Sequence, residues 1–176
     1  DVSNVTNMYQ MFDGCPALSS VPLFDTSKVT FMRHMFVGCS SLTSVPLFDT
    51  SNVTDMQRMF RECYSLPTVP LFDTRNVSSM YEMFAGCSSL TSVPLFDTSN
   101  VTGMRSMFDT CTSLTSIPLF NTTKVKDMRY TFADCTNVQS GALALYQQAS
   151  TQSIYRYHTR TFYNCGINTQ TGSAEL

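Results

Sequence analysis

One regular interval constrains this chain more than any other feature. Cysteine falls at every twenty-fourth position, at Cys15, Cys39, Cys63, Cys87, Cys111 and Cys135. A Met-Phe pair keeps the same step at Met11-Phe12, Met35-Phe36, Met59-Phe60, Met83-Phe84 and Met107-Phe108, and Thr131-Phe132 is the sixth member. The register is unbroken from residue 1 to about 139. A fixed period of roughly 20 to 50 residues means stacked units. One copy cannot bury its apolar face alone, so the next copy must cover it and stability comes from neighbour contacts.

Within one unit the apolar spacing changes. Val53, Met56, Met59, Phe60, Cys63 and Leu66 follow steps of three and one, which predicts one face of a helical segment. Val69 and Leu71 then alternate as on a short strand. Asp49, Thr50 and Ser51 are turn and cap residues between the two. Pro22, Pro46, Pro70, Pro94 and Pro118 lack an amide for a ladder, so the strands should be very short. The expected fold is a right-handed α/β solenoid with short parallel strands and one helical segment per repeat. Leu18, Val21, Leu23, Val29, Met32, Met35, Phe36, Cys39 and their equivalents should face inward.

Taken in order, residues 1–139 read as a six-repeat solenoid whose first repeat is incomplete. Full units span 24–47, 48–71, 72–95 and 96–119, and the unit from Phe120 drifts, with Asn121, Thr123 and Thr131 departing from the pattern. Residues 140–176 read as a C-terminal helical cap contiguous with the solenoid. Gly141 to Ala149 is its helix-forming stretch. Phe162 and Cys165 echo Phe132 and Cys135, at an interval longer than the regular step. The chain starts in mid-unit and reads as part of a longer one.

The unit Phe-Asp-Thr-Ser-Asn-Val-Thr-x-Met-x-x-Met-Phe-x-x-Cys-x-Ser-Leu-Thr-Ser-Val-Pro-Leu resembles the BspA-like leucine-rich repeat. That family occurs in surface proteins of gut and oral bacteria and mycoplasmas, and in some phage-encoded proteins. The resemblance covers about residues 1–139. It implies a leucine-rich-repeat solenoid with a role in adhesion or recognition, and it supplies no catalytic residues.

Composition narrows the classes further. A hydrophobic share of 43% is that of a globular chain, and a net charge of −2 argues against general nucleic-acid binding. No apolar run is long enough to insert in a membrane. The seven cysteines include no Cys-x-x-Cys pair, so zinc is not indicated, and six of them form one column beside Met and Phe, where a thiol packs as a small hydrophobe. No metal or cofactor is expected. The histidines are His34, at an outward variable position, and His158; a catalytic pair of His158 with Cys165 lacks the third, orienting group. Asp25, Asp49, Asp73 and Asp97 suit capping of turn amides better than calcium, which wants roughly six to eight oxygens. Asn4, Asn52, Asn76, Asn100 and Asn121 match an N-glycosylation sequon but read as turn residues.

Functional information lies where the copies differ. The Ser-Val-Pro-Leu-Phe-Asp-Thr stretch hardly varies, whereas the two positions before Met-Phe and the position after Val-Thr vary freely. Drift at solvated sites explains this as well as function does. The recurrence of Tyr and Arg, both frequent at binding hot spots, favours Tyr9, Arg33, Arg58, Tyr81, Arg105, Arg129 and Tyr130 as a ligand stripe. A rival row is Phe24, Phe48, Phe72, Phe96 and Phe120, which strand parity would point outward; burial preference instead turns these rings into the interior. The expected function is a non-catalytic extracellular binding or adhesion module at a bacterial cell surface, meeting protein or glycan ligands. Alternatives are a phage tail or virion-attached recognition module and a passive spacer.

Overall fold

The computed structural model describes residues 1–151 and 157–166. The repeat does build one parallel stack, but without a helix in the repeats and without extended strands among the described residues. The coil from Asp49 to Phe72 shows how. Met59 N donates to Met56 O, Arg61 N to Arg58 O, Cys63 N to Phe60 O and Leu66 N to Cys63 O, at 3.1–3.2 Å. These are successive four-residue turns. Arg58 (φ 54°) and Glu62 (φ 61°) are left-handed at the third position of their turns, the signature of type II. An α-helix needs negative φ throughout, so the segment cannot be one. Its spacing imitates a helix because each turn brings residues i and i+3 to the same side.

The amides left over by the turns join the coils. Met56, Arg58, Phe60 and Glu62 donate to Ser79, Tyr81, Met83 and Ala85 of the next coil at 2.8–3.3 Å, and the same pattern recurs along the stack. Isolated parallel bridges run Asn7–Phe31–Asp55–Ser79–Gly103–Asp127–Tyr157. This ladder lies at the variable position after Val-Thr; on the side where a strand was expected the described residues show a single bridge, Ser116–Ser140, next to the helix that follows.

The expected strand fails for a local reason. Phe48, Phe72, Phe96 and Phe120 each donate their amide to the carbonyl of the proline two residues earlier, at 2.9–3.0 Å. Such an i→i+2 bond is a γ-turn with leucine at its apex. The leucine is thrown outward: Leu23, Leu47, Leu71, Leu95 and Leu119 are 52–66% exposed. The expectation that Leu23 and its equivalents face inward is therefore wrong. The same reversal returns the following Phe to the core, so Phe48, Phe72, Phe96 and Phe120 are buried and Phe24 is half-buried. The outward placement of this row, and with it the rival binding site, is overturned.

The core is a set of columns. Phe12, Phe36, Phe60, Phe84, Phe108, Phe132 and Phe162 stack with centroids 5.2–5.6 Å apart and planes within 3–8°. The second Phe row packs against it at 6.0–6.3 Å. Aromatic pairs contribute about 0.5–1.5 kcal/mol each beyond area burial. Beside them Cys39, Cys63, Cys87, Cys111 and Cys135 are buried free thiols, each donating to the carbonyl of a Phe in the preceding coil at 3.0–3.2 Å.

The edges of the coils are tied by the polar columns. Asp25, Asp49, Asp73 and Asp97 each accept the amide two residues on, as expected for caps. Thr50, Thr74 and Thr98 are buried and donate to the next coil, and Asn52, Asn76 and Asn100 donate to the previous one.

Helix α1, Ala142–Ser150, buries Ala142, Leu145 and Ala149. Gly141 precedes it at φ 93°, where a Cβ would collide with the Ile117 carbonyl. Gln148 donates to Phe120 O at 2.6 Å, so α1 closes that end of the second Phe column. Residues 157–166 then form a further coil: Tyr157 bridges Asp127, Phe132 N bonds Thr161 O at 2.8 Å, and Phe162 stacks on Phe132. The remainder of the expected cap, 152–156 and 167–176, lies outside the described residues.

Candidate functional site

The parallel ladder and the left-handed turns put the variable columns side by side. Arg58 Nε bonds Glu82 Oε2 at 2.7 Å, and Arg61 approaches the same carboxylate at 3.4 Å. Burial works to raise the Glu82 carboxyl, but bonds from Tyr81 and Arg58 outweigh it and hold it below the ordinary range. Arg58 and Arg105 lie over the Tyr81 ring at 5.1 and 5.8 Å, within cation–π range. Arg129 holds Asp127 at 2.6 Å and covers the Tyr157 ring at 5.0 Å. Arg160 lies 6.0 Å from the Tyr130 ring centroid.

Tyr81, Arg58 and Arg105 thus form one cluster, Arg129 a second with Tyr157, and Tyr130 a contact with Arg160. Tyr9 and Arg33 sit at the first coils, where they line a depression of about 330 Å³ with Asn7, Phe31 and Asp55. The seven residues therefore lie along the ladder on turns, not on a helix face. All but the exposed Tyr9 are half-buried, so they support one another as well as face solvent. Arg33 and Arg105 make no ion pair among the described residues, and the Nε of each is buried without a partner.

By sequence Phe31 is among the variable positions after Val-Thr that point away from the apolar stripe, but neither its prominence nor the depressions on this face are legible there. Phe31 is 46% exposed on the ladder itself. A second depression, of about 250 Å³, is lined by Arg61, Glu62, Tyr64, Glu82, Ala85, Gly86, Asp109 and Thr110. There burial, then the charges of Asp134 and Glu82, push the Asp109 carboxyl up to about 6. Both arise from neighbours in successive coils, a relation that the repeat period contains but that single-unit patterning hides.

His34 is half-buried, and its ring lies 5.5 Å from that of Tyr9. Burial, then the charges of Arg33 and Arg58, lower its basicity. His158 is on the surface and Cys165 in the buried cysteine column. Among the described residues no group of three or more His, Cys, Asp or Glu side chains is placed to hold a metal ion.

The stack of turn-built coils joined by a parallel ladder is a solenoid of the leucine-rich-repeat type. A leucine-rich repeat protein from Eubacterium ventriosum shares the fold, with a TM-score of 0.54 at 21% identity over 85% of this chain and 43% of that one. One from Bacteroides ovatus aligns with a TM-score of 0.47 at 23% identity, over 77% of this chain and 40% of that one. A leucine rich cell surface protein from Faecalibacterium prausnitzii aligns with a TM-score of 0.39 at 17% identity, over 86% of this chain and 55% of that one. The chain thus spans from two fifths to just over half of the length of these structures. No curated protein sequence matches it. The model for the family described as "Mycoplasma protein of unknown function, DUF285" matches residues 1–92, 43–146 and 67–167, and the chain belongs to that family.

Proposed function

We propose that this solenoid is a non-catalytic binding module that works outside the cell, at a bacterial surface, and that its ladder face meets the ligand. One observation carries the reading. Variation between coils gathers on the ladder, exposed at Asn7, Phe31 and Tyr157 and half-buried at Asp55, Ser79, Gly103 and Asp127, and at the neighbouring Tyr and Arg positions, while the proline–leucine edge repeats with little change. A scaffold that holds its backbone constant and varies one column of side chains at a rise of roughly 5 Å per coil is suited to multipoint recognition. The resemblance of the repeat unit to the BspA-like repeat supports the extracellular, adhesive setting. The ligand class is protein or glycan.

The test is binding of the chain to surfaces coated with matrix protein or with mucin. Changing Tyr81, Arg105 and Arg129 together to Ala should weaken binding about 30-fold or more, the equivalent of one hot spot of about 2 kcal/mol. Changing Leu71 and Leu95 to Ser, on the proline edge, should leave it intact. Full-strength binding by the triple variant, with its melting curve still cooperative, would sink the proposal.

A further inference from the structure

We infer that the depression formed by Asn7, Tyr9, Phe31, Arg33 and Asp55 is a subsite for one uncharged sugar ring. The inference rests on the reading of the ladder as the ligand face, and it names the chemistry of one point on that face. Three observations lead to it.

The first is the cost of Phe31. In its column Asn7, Asp55 and Asp127 each accept the amide two residues on, at 2.9–3.1 Å, and so complete the local turn. Ser79 and Gly103 are merely small. Phe31 can accept no such bond, yet it leaves a large ring 46% exposed. Tyr157, the other aromatic of the column, is covered by the Arg129 guanidinium, whereas no cation among the described residues covers Phe31. Turn chemistry does not explain a phenylalanine there, and no ring or cation among the described residues stacks on it.

The second observation is the company it keeps. Tyr9, 49% exposed, adds a second ring to the same depression. Two exposed rings suit the apolar C–H faces of a sugar. Around them stand the planar polar groups that match hydroxyls. The Arg33 guanidinium makes no ion pair among the described residues, the Asn7 amide nitrogen donates, and the Asp55 carboxylate accepts. Asn7 is oriented by its bond to Tyr9 N, and Asp55 by Gln57, which donates from its backbone at 2.9 Å and from its side chain at 3.3 Å. Asn7 and Asp55 are thus held in place before a ligand arrives.

The third is charge and size. One cation and one anion leave the rim neutral, which disfavours an acidic peptide as much as a sialylated or sulfated sugar. About 330 Å³ is at the low end of the roughly 300–1,000 Å³ of small-molecule sites. A shallow site of this size holds a single ring weakly, and tight attachment would come from several such contacts at once.

Saturation-transfer NMR on the full chain tests this, with the methyl glycosides of glucose, galactose and mannose as probes and free sialic acid as the charged control. At least one neutral glycoside should receive saturation. Phe31→Ser should abolish the transfer, Phe31→Tyr should restore it, and Leu71→Ser with Leu95→Ser, on the exposed proline edge, should leave it unchanged. Equal melting temperatures show that Phe31→Ser still folds. No transfer to any neutral glycoside, transfer to sialic acid alone, or full transfer in Phe31→Ser overturns the assignment. If the chain binds coated matrix protein through Tyr81, Arg105 and Arg129 while the glycosides stay silent, the ladder reading stands and the sugar subsite falls. If Phe31→Ser silences the glycosides while the triple Ala variant binds coated surfaces normally, the subsite stands and the wider ladder reading falls.

Discussion

The backbone of each coil depends on residues held where L-amino acids are uncomfortable. His34, Arg58, Glu82, Ser106, Thr110, Tyr130 and Asp134 all have positive φ. A left-handed non-glycine residue costs roughly 1–2 kcal/mol. Each such residue is accompanied by a turn bond and donates its amide to the next coil. Gly14, Gly38 and Gly86 fill one of these columns, and Glu62, Thr110 and Asp134 take the same place in other coils. Burial, then the charges of Asp134 from that column and of Glu82, raise the neighbouring Asp109 carboxyl. Its folded pKa is about 6 against an ordinary 3.8. The stabilising contribution of its proton is fully present below 3.8 and is lost as pH rises through about 6. Asp109→Asn keeps the neutral shape at every pH. It should therefore raise the melting temperature near about pH 7 and change it little near about pH 3.5. A gain of equal size at both pH values would show that ionisation of the buried Asp109 is not the cause.

At the level of the element, apolar spacing and conformation separate. Residues i and i+3 share a face in a helix, and they also share one across a type II turn, so the steps of three in the repeat could not tell the two apart. The proline edge makes a sharper case. Leu66 and Leu71 belong to one coil, but the first is fully buried and the second 59% exposed. Leu66→Ala should cost about 2–5 kcal/mol, the usual range for a buried leucine. Leu71→Ser and Leu95→Ser should each stay within about ±0.5 kcal/mol. Urea unfolding measures both, and a loss above about 2 kcal/mol at Leu71 would put that leucine back in the core.

For the whole molecule the thiols report on the stack. Burial pushes the thiol of Cys39 up to about 11 and that of Cys87 to about 12, and it raises Cys63, Cys111 and Cys135 as well. In the first coil Cys15 is exposed, Met11 is 42% exposed and Phe12 is half-buried. Ellman's reagent should therefore label Cys15 rapidly in the native chain, and all seven cysteines only after denaturation. Rapid labelling of two or more thiols under native conditions would mean that the columns open locally.

The sequence by itself determined the stacking and its register, because a strict period leaves one way to superimpose Cys on Cys and Phe on Phe. It also determined that the thiols pack as hydrophobes and that the Asp column caps turns. Tertiary structure decided the rest. The proline–phenylalanine γ-turn sent the leucines out and the second Phe row in. The sign of φ at Arg58 and Glu62 made turns of what patterning reads as a helix. The depression at Phe31 exists because Asn7, Phe31 and Asp55, each a full repeat from the next along the chain, become neighbours only once the coils are stacked.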